Sequence, residues 1–346
     1  MVKHGILARN WLAVVVALPV GVALSVVVGG CASEGGSVEL TVQTYNAGLA
    51  YNFVPLAKER RQAVFDAVRA STADVLCLQE VWVDDDLIAL EKAGADAGFA
   101  TVFSEKTRED TAGLPIACTA GDTKELEPCA QKECGAQAVG QLVGCVQAKC
   151  GPQLAAISDK CLTCLASNLD KDLTGILSAC AKGGGKYAFG GYNGLMLLTR
   201  KKATLTKHTF FKSSLIRRSL LQASFQVGED DATGTVNAYC THLTSKLSSI
   251  NYPGEFSGYE EEQAQQVDAL IKQVTGNFIV MGDMNTGAKL GDKIVAELPD
   301  NFAKFTAAGF KTPYLDGAAP LCTFCAENTL VASGADKGGE GAIIDH

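Results

Sequence analysis

The chain has no surplus of positive charge. Its 30 lysines and arginines stand against 38 aspartates and glutamates, a formal net charge of −8. A general nucleic-acid binder needs a basic footprint over its binding face, and this composition does not supply one. Acids are missing altogether from residues 1–30, where Lys3 and Arg9 precede an uncharged run from Trp11 to Val28. With 47% hydrophobic and 20% charged residues over 346 positions, the composition excludes a disordered chain and suits one large domain or two ordinary ones.

The positive start, the apolar run and the Val28-Gly29-Gly30-Cys31 sequence form an export leader that ends in a bacterial lipobox. We therefore read residues 1–30 as a signal peptide, with cleavage before Cys31 and lipidation of its thiol. This predicts an exported lipoprotein held at a bacterial membrane by its N-terminal lipid. The alternatives are an uncleaved membrane anchor and a plain signal peptide with an incidental cysteine. Loss of Lys3 and Arg9 takes the net charge from −8 to about −10 (−8 − 2).

Thirteen cysteines in an exported chain argue for disulfides. Eight of them, from Cys118 to Cys180, fall in one stretch whose first spacings are 11, 5, 11, 5 and 11. Ala, Gln, Leu and Lys fill the gaps, so short helices stapled to one another are expected over 110–183, with Gly183-Gly184-Gly185 as a closing linker. A zinc site from Cys161, Cys164, Cys322 and Cys325 is the weaker alternative to disulfides. Cys77 and Cys240 lie in apolar strands and read as buried small hydrophobes. The insert's lysines are matched by acids, and it lacks the interleaved aromatics that stack bases.

Around the insert, alternating and apolar runs predict strands at 38–45, 74–78, 101–104, 194–200, 203–211, 219–225, 235–239 and 278–281. Helical periodicity marks 56–70, 84–98 and 260–275. Gln263 and Gln266, on the last helix, read as its surface or the edge of the core. Polar residues cluster at the strand ends: Asn46, Glu80, His242, Asp283 with Asn285, and Asp345. Asp283 and Asn285 are two apart, so an extended chain would point them the same way. Glu80 is a hard oxygen ligand suited to Mg²⁺, and Asn46 can hold that ligand or a phosphate. His242 can donate to a phosphoryl oxygen, and Asp283 can orient or deprotonate a water.

These motifs, in this order, resemble the endonuclease/exonuclease/phosphatase superfamily of Mg²⁺-dependent phosphodiesterases. The resemblance is carried by Thr44-Tyr45-Asn46, Leu78-Gln79-Glu80-Val81, Thr241-His242-Leu243, Gly282-Asp283-Met284-Asn285 and Ile344-Asp345-His346. It implies an α+β fold, a four-layer αββα sandwich of two mostly antiparallel sheets, over 38–346, interrupted by the disulfide-rich helical insert at 110–183. It implies Asn46 and Glu80 at a metal site, with Mg²⁺ as the cofactor and Mn²⁺ or Ca²⁺ as alternatives. His242, Asp283, Asn285 and Asp345 become the catalytic set, the last orienting a histidine, and Arg218 ranks behind them. Trp82 is expected to pack beside Glu80. The family follows that aspartate with a Ser-Asp-His motif; here His346 is the last residue, and we expect the sequence to stop short of it. The expected reaction is attack of water on a phosphodiester of phospholipid or sphingomyelin type. An extracellular endonuclease and a surface binding protein that has lost catalysis are the alternatives.

Overall fold

The computed structural model describes residues 22–28 (backbone), 38–51, 54–135, 137, 142–168, 171–228, 234–247, 252–315, 320–328, 330 and 341–346. Cys31 and the lipobox lie outside them. β1 (Val22–Val28) pairs antiparallel with β2 (Val38–Asn46). The expected cleavage before Cys31 would leave β2 as the edge strand. No helix among the described residues is long and apolar enough to cross a membrane.

Two sheets form the body. The first holds β2 beside β3 (Val75–Gln79), then β5 (Met196–Thr199) and β4 (Thr101–Ser104). The second runs β6 (Leu205–Phe210), β7 (Ser219–Gln226), β8 (Thr235–His242) and β9 (Asn277–Asp283). A short parallel pair, β10 (Ile294–Val295) with β11 (Gly341–Ala342), lies apart from them.

Alternation along the strands builds the layers. Val75 and Cys77 of β3 face inward, packing with Leu221, Phe225, Ala238 and Met281 of the second sheet. Leu76 and Leu78 face outward, under Val64, Phe65 and Val68 of α1 (Ala57–Arg69) and Leu87 and Leu90 of α2 (Asp84–Asp96). On the far side, Leu220 and Tyr239 meet Val267 and Leu270, on a later helix, and Phe305. The expected αββα sandwich of two mostly antiparallel sheets is therefore what the chain forms.

Among its described residues the insert is a bundle of six short helices: α3 (Ala120–Thr123), α4 (Leu126–Cys134), α5 (Leu142–Lys149), α6 (Gly151–Ala155), α7 (Asp159–Ala166) and α8 (Leu173–Ala181). Its cysteines pair in a nest, Cys118–Cys161 around Cys129–Cys150 around Cys134–Cys145, followed by Cys164–Cys180. Cys322 and Cys325 bond to each other. With these thiols paired, the zinc alternative falls. The glycines at 183–185 are not a loose linker either, because a Cβ on Gly184 would lie 2.0 Å from Cys164 Sγ.

The reading of Cys77 and Cys240 as free hydrophobes is also overturned. They form a disulfide between β3 and β8, with Cα atoms 5.4 Å apart, through the core between the sheets. Both are buried, as expected of apolar strands. Their pairing depends on the two sheets facing each other at that level, which neither strand's sequence encodes. Six disulfides among the described residues suit a chain that folds in an oxidising compartment.

Candidate active site

Each main sheet contains one parallel neighbour pair, and these two pairs make the site. In the first sheet β2 and β3 run parallel with Asn46 opposite Gln79, so Glu80 emerges beside Asn46. In the second, β8 and β9 run parallel with His242 opposite Asp283. Parallel pairs end together, and here both end at the same edge of the sandwich. Asn46 joins them: its Nδ2 donates to Glu80 Oε1 at 3.0 Å and to Asp283 Oδ2 at 2.9 Å. Its Oδ1 accepts the Gly48 N–H at 3.0 Å. Asn46 thus ties the Glu80 and Asp283 carboxylates together across the two sheets.

Glu80 lies just past the end of β3 with a left-handed backbone, φ 60°. Such a conformation costs a non-glycine residue of the order of 1 kcal/mol and recurs at functional sites. It turns the carboxylate away from the alternation of β3. Trp82 follows as expected, buried beside Glu80 and stacked on Phe189 with ring centroids 4.4 Å apart.

The expectation that Asp283 and Asn285 share one face of an extended strand does not hold. β9 ends at Asp283, and Asn285 adopts φ 47°. Asp283 Oδ1 accepts the Asn285 N–H at 2.9 Å, closing a turn, and Asn285 Nδ2 donates to Leu243 O at 2.9 Å. Asn285 thus ties the ends of β8 and β9 together. Gly282 is required here, since a Cβ at its φ of 152° would lie 2.0 Å from Thr241 O.

Asp345 reaches the site through backbone pairing. Gly282 and His346 exchange two hydrogen bonds of 2.9 Å, and the Met284 N–H donates to Ile344 O at 2.8 Å. Asp283 and Asp345 therefore face each other as a non-hydrogen-bonded antiparallel pair. Such pairs bring side chains closest, and like charges so placed repel. Asp345 Oδ1 is buried with no partner among the described residues.

The electrostatics reflect this crowding. Burial raises the Glu80 carboxyl above its usual range, against the Asn46 hydrogen bond and the Arg218 charge. Burial pushes Asp283 up to about 6, with Asn46 and the Asn285 N–H opposing and Glu80 adding to the rise. Asp345 is raised well above an ordinary carboxylate by burial and then by Asp283. His242 is held well below the usual imidazole range by burial and then by Arg218, so it stands neutral at pH 7. Its Nε2 is 3.6 Å from Asp283 Oδ2, beyond hydrogen-bond distance, and its Nδ1 has no partner among the described residues.

Three carboxyls raised by burial, those of Asp283 and Asp345 also by a neighbouring acid's charge, offer hard oxygen ligands of the kind a divalent cation takes. No three of their ligand atoms converge within 4.8 Å; among the described residues only Cys322, Cys325 and Glu327 do, and those two thiols are spent in a disulfide. Mg²⁺ takes one or two carboxylates and keeps several waters, so a site for it does not require three converging side chains.

Gln263 and Gln266 correct the reading of them as surface or core-edge residues, being 0% and 1% exposed. They lie on α9 (Tyr259–Gln273). Gln263 Nε2 donates to Thr244 O at 2.6 Å and Asn285 O at 2.9 Å, clamping the turns after β8 and β9. Gln266 Oε1 accepts the Thr244 N–H at 2.9 Å. The signal was available: positions 263, 266, 267 and 270 share one helical face with buried Val267 and Leu270.

Residues 44–324 match the model of the Endonuclease/Exonuclease/phosphatase family. No curated protein matches the chain in sequence. Among solved structures, an endonuclease/exonuclease/phosphatase from Beutenbergia cavernae DSM 12333 is 15% identical over 78% of this chain, with a TM-score of 0.43. The chain spans only 53% of that protein's length. Sphingomyelinase C from Streptomyces griseocarneus is 15% identical over 89% of this chain and 82% of its own, with a TM-score of 0.48. A beta toxin variant from Staphylococcus aureus with bound magnesium ions is 10% identical with the same coverages and TM-score. These likenesses are distant and carry no residue-level correspondence.

Proposed function

This chain belongs to the endonuclease/exonuclease/phosphatase family, and we propose that it is a divalent-cation-dependent hydrolase of a phosphodiester. The observation that supports this most is Asn46 bridging Glu80 and Asp283 across the two sheets. Glu80 would hold the cation, Mg²⁺ or alternatively Mn²⁺ or Ca²⁺, with Asn46 fixing its carboxylate. A cation bound there neutralises phosphoryl charge. Asp283 orients the attacking water and takes its proton. Neutral His242 offers one N–H to a phosphoryl oxygen as negative charge develops. Asn285 holds the turn that aims Asp283. Asp345 Oδ1 is a buried acceptor with no partner among the described residues, suited to an imidazole N–H, the role its motif implies in the family.

For the substrate we propose a phospholipid or sphingomyelin-type headgroup, hydrolysed by an exported protein anchored through lipidated Cys31. The net charge of −8 and an insert without base-stacking aromatics weigh against DNA. Incubation with sphingomyelin or phosphatidylcholine vesicles and Mg²⁺ is expected to release phosphocholine, and EDTA to stop it. Nicking of plasmid without phosphocholine release would replace this substrate with DNA. Failure on both, and on bis(p-nitrophenyl) phosphate, would leave the binding-protein reading.

A further inference from the structure

Among the described disulfides, Cys322–Cys325 is the one with neither cysteine buried. Each of the other five has at least one cysteine no more than 4% exposed. It is also the shortest closure, with a sequence separation of 3. An exposed disulfide is open to attack by a thiolate, which buried ones resist. So short a closure adds little to the hold between distant parts of the fold.

Thr323, inside the closed loop, supports the segment that brings Asp345 to the site. The Thr323 and Phe324 N–H groups donate to Ala342 O at 2.9 and 3.0 Å, and the Ala342 N–H donates to Phe324 O at 2.8 Å. Thr323 Oγ1 accepts the Ile344 N–H at 3.0 Å and the Asp345 N–H at 3.1 Å, the two bonds its lone pairs allow. Asp345 faces Asp283 as a non-hydrogen-bonded pair, so its own N–H points away from β9, and the Thr323 hydroxyl receives it. One side of residues 341–346 is thus fixed by β9, and the other by a loop whose ends are joined through sulfur.

We propose that the Cys322–Cys325 disulfide is a redox-sensitive latch on Asp345. Closed, it holds Thr323 against the Asp345 backbone and keeps that carboxylate opposite Asp283. A dithiol opens it: one thiolate attacks a sulfur, a mixed disulfide forms, and the second thiolate of the same reductant resolves it. Two electrons and two protons pass to Cys322 and Cys325, which become thiols, and the reductant leaves as its own disulfide. The freed loop regains backbone conformations that compete with the Thr323 bonds, and Asp345 loses its alignment. The catalytic consequence rests on the phosphodiesterase reading; the latch itself does not.

The test compares the untreated full chain with the same chain under dithiothreitol in native buffer, and with Cys322→Ser/Cys325→Ser, Thr323→Val and Thr323→Ser. Alkylation and mass spectrometry of the treated chain should find Cys322 and Cys325 reduced before any other cysteine. The Ile344 and Asp345 amide hydrogens should exchange about 10-fold faster in the reduced protein, the double serine variant and Thr323→Val. Thr323→Ser keeps the hydroxyl and should exchange like the untreated chain. On bis(p-nitrophenyl) phosphate, kcat should fall about 10-fold in the same three proteins with KM little changed. Reoxidation should restore the wild type, and dithiothreitol should not slow the double variant further. Thermal denaturation reports whether each variant folds; if the double variant does not, the reduced wild type and the two Thr323 variants carry the test. Reduction of another pair first, exchange that ignores the disulfide, or an unchanged kcat where exchange quickens overturns the proposal. Faster exchange in a chain that hydrolyses nothing in either state would sustain the latch and remove the proposed function instead.

Discussion

Asp283→Asn is expected to slow hydrolysis by about 10²- to 10⁴-fold, the range over which a positioned general base acts, while the protein stays folded. The amide keeps the shape of the side chain and an oxygen to accept the Asn285 N–H. It loses the ability to take a proton from water. One contact turns unfavourable, because Asn46 Nδ2 would then risk facing a second amide donor where it now meets Asp283 Oδ2. That costs about 1 kcal/mol. Removing one of three mutually repelling acids offsets part of it. Rates and thermal midpoints of the two proteins should therefore separate: a large fall in the first and a shift of a few degrees in the second. Full turnover by the variant would remove Asp283 from the chemistry.

Replacing Cys77 and Cys240 together by alanine is expected to lower stability by about 2–5 kcal/mol. The bond closes a segment of 163 residues, and the chain-entropy model gives long closures the larger effect. Its position adds a functional consequence. Cys77 precedes Glu80 by three residues and Cys240 precedes His242 by two, so the bond pins the sheets together just below the site. Denaturant unfolding measures the loss. An unchanged midpoint, or thiols at 77 and 240 that alkylate in the untreated protein, would contradict the bond's role.

The strand ends were legible because each polar residue follows an apolar run whose period and length mark a strand. Asn46 and Glu80 could thus be placed at one edge before any pairing was known. The bridge from Asn46 to Asp283 was not legible, because it needs the two sheets face to face, a relation between residues 237 apart. The same gap hid Cys77–Cys240: each cysteine reads locally as a core residue, and only the packing makes them partners. The turn at Asn285 failed differently. A spacing of two implies a shared face only while the chain stays extended, and β9 ends at Asp283. Glu80 also departs from strand geometry, with its left-handed backbone. In both places the local rule gives way where the chain turns to present the acids. The cysteine spacings announced a stapled insert, but eight cysteines allow many pairings, and the nested order follows from how the helices stack.

The central claim is that Glu80, supported by Asn46 beside Asp283, is a divalent-cation site. Calorimetric titration of Mg²⁺ into the wild type and Glu80→Gln tests it without depending on any substrate. The account predicts one saturable Mg²⁺ site in the wild type, weakened at least about tenfold by Glu80→Gln because a hard cation prefers a charged oxygen to an amide. A wild type that binds no Mg²⁺, Mn²⁺ or Ca²⁺, or a glutamine variant that binds as tightly, would contradict it.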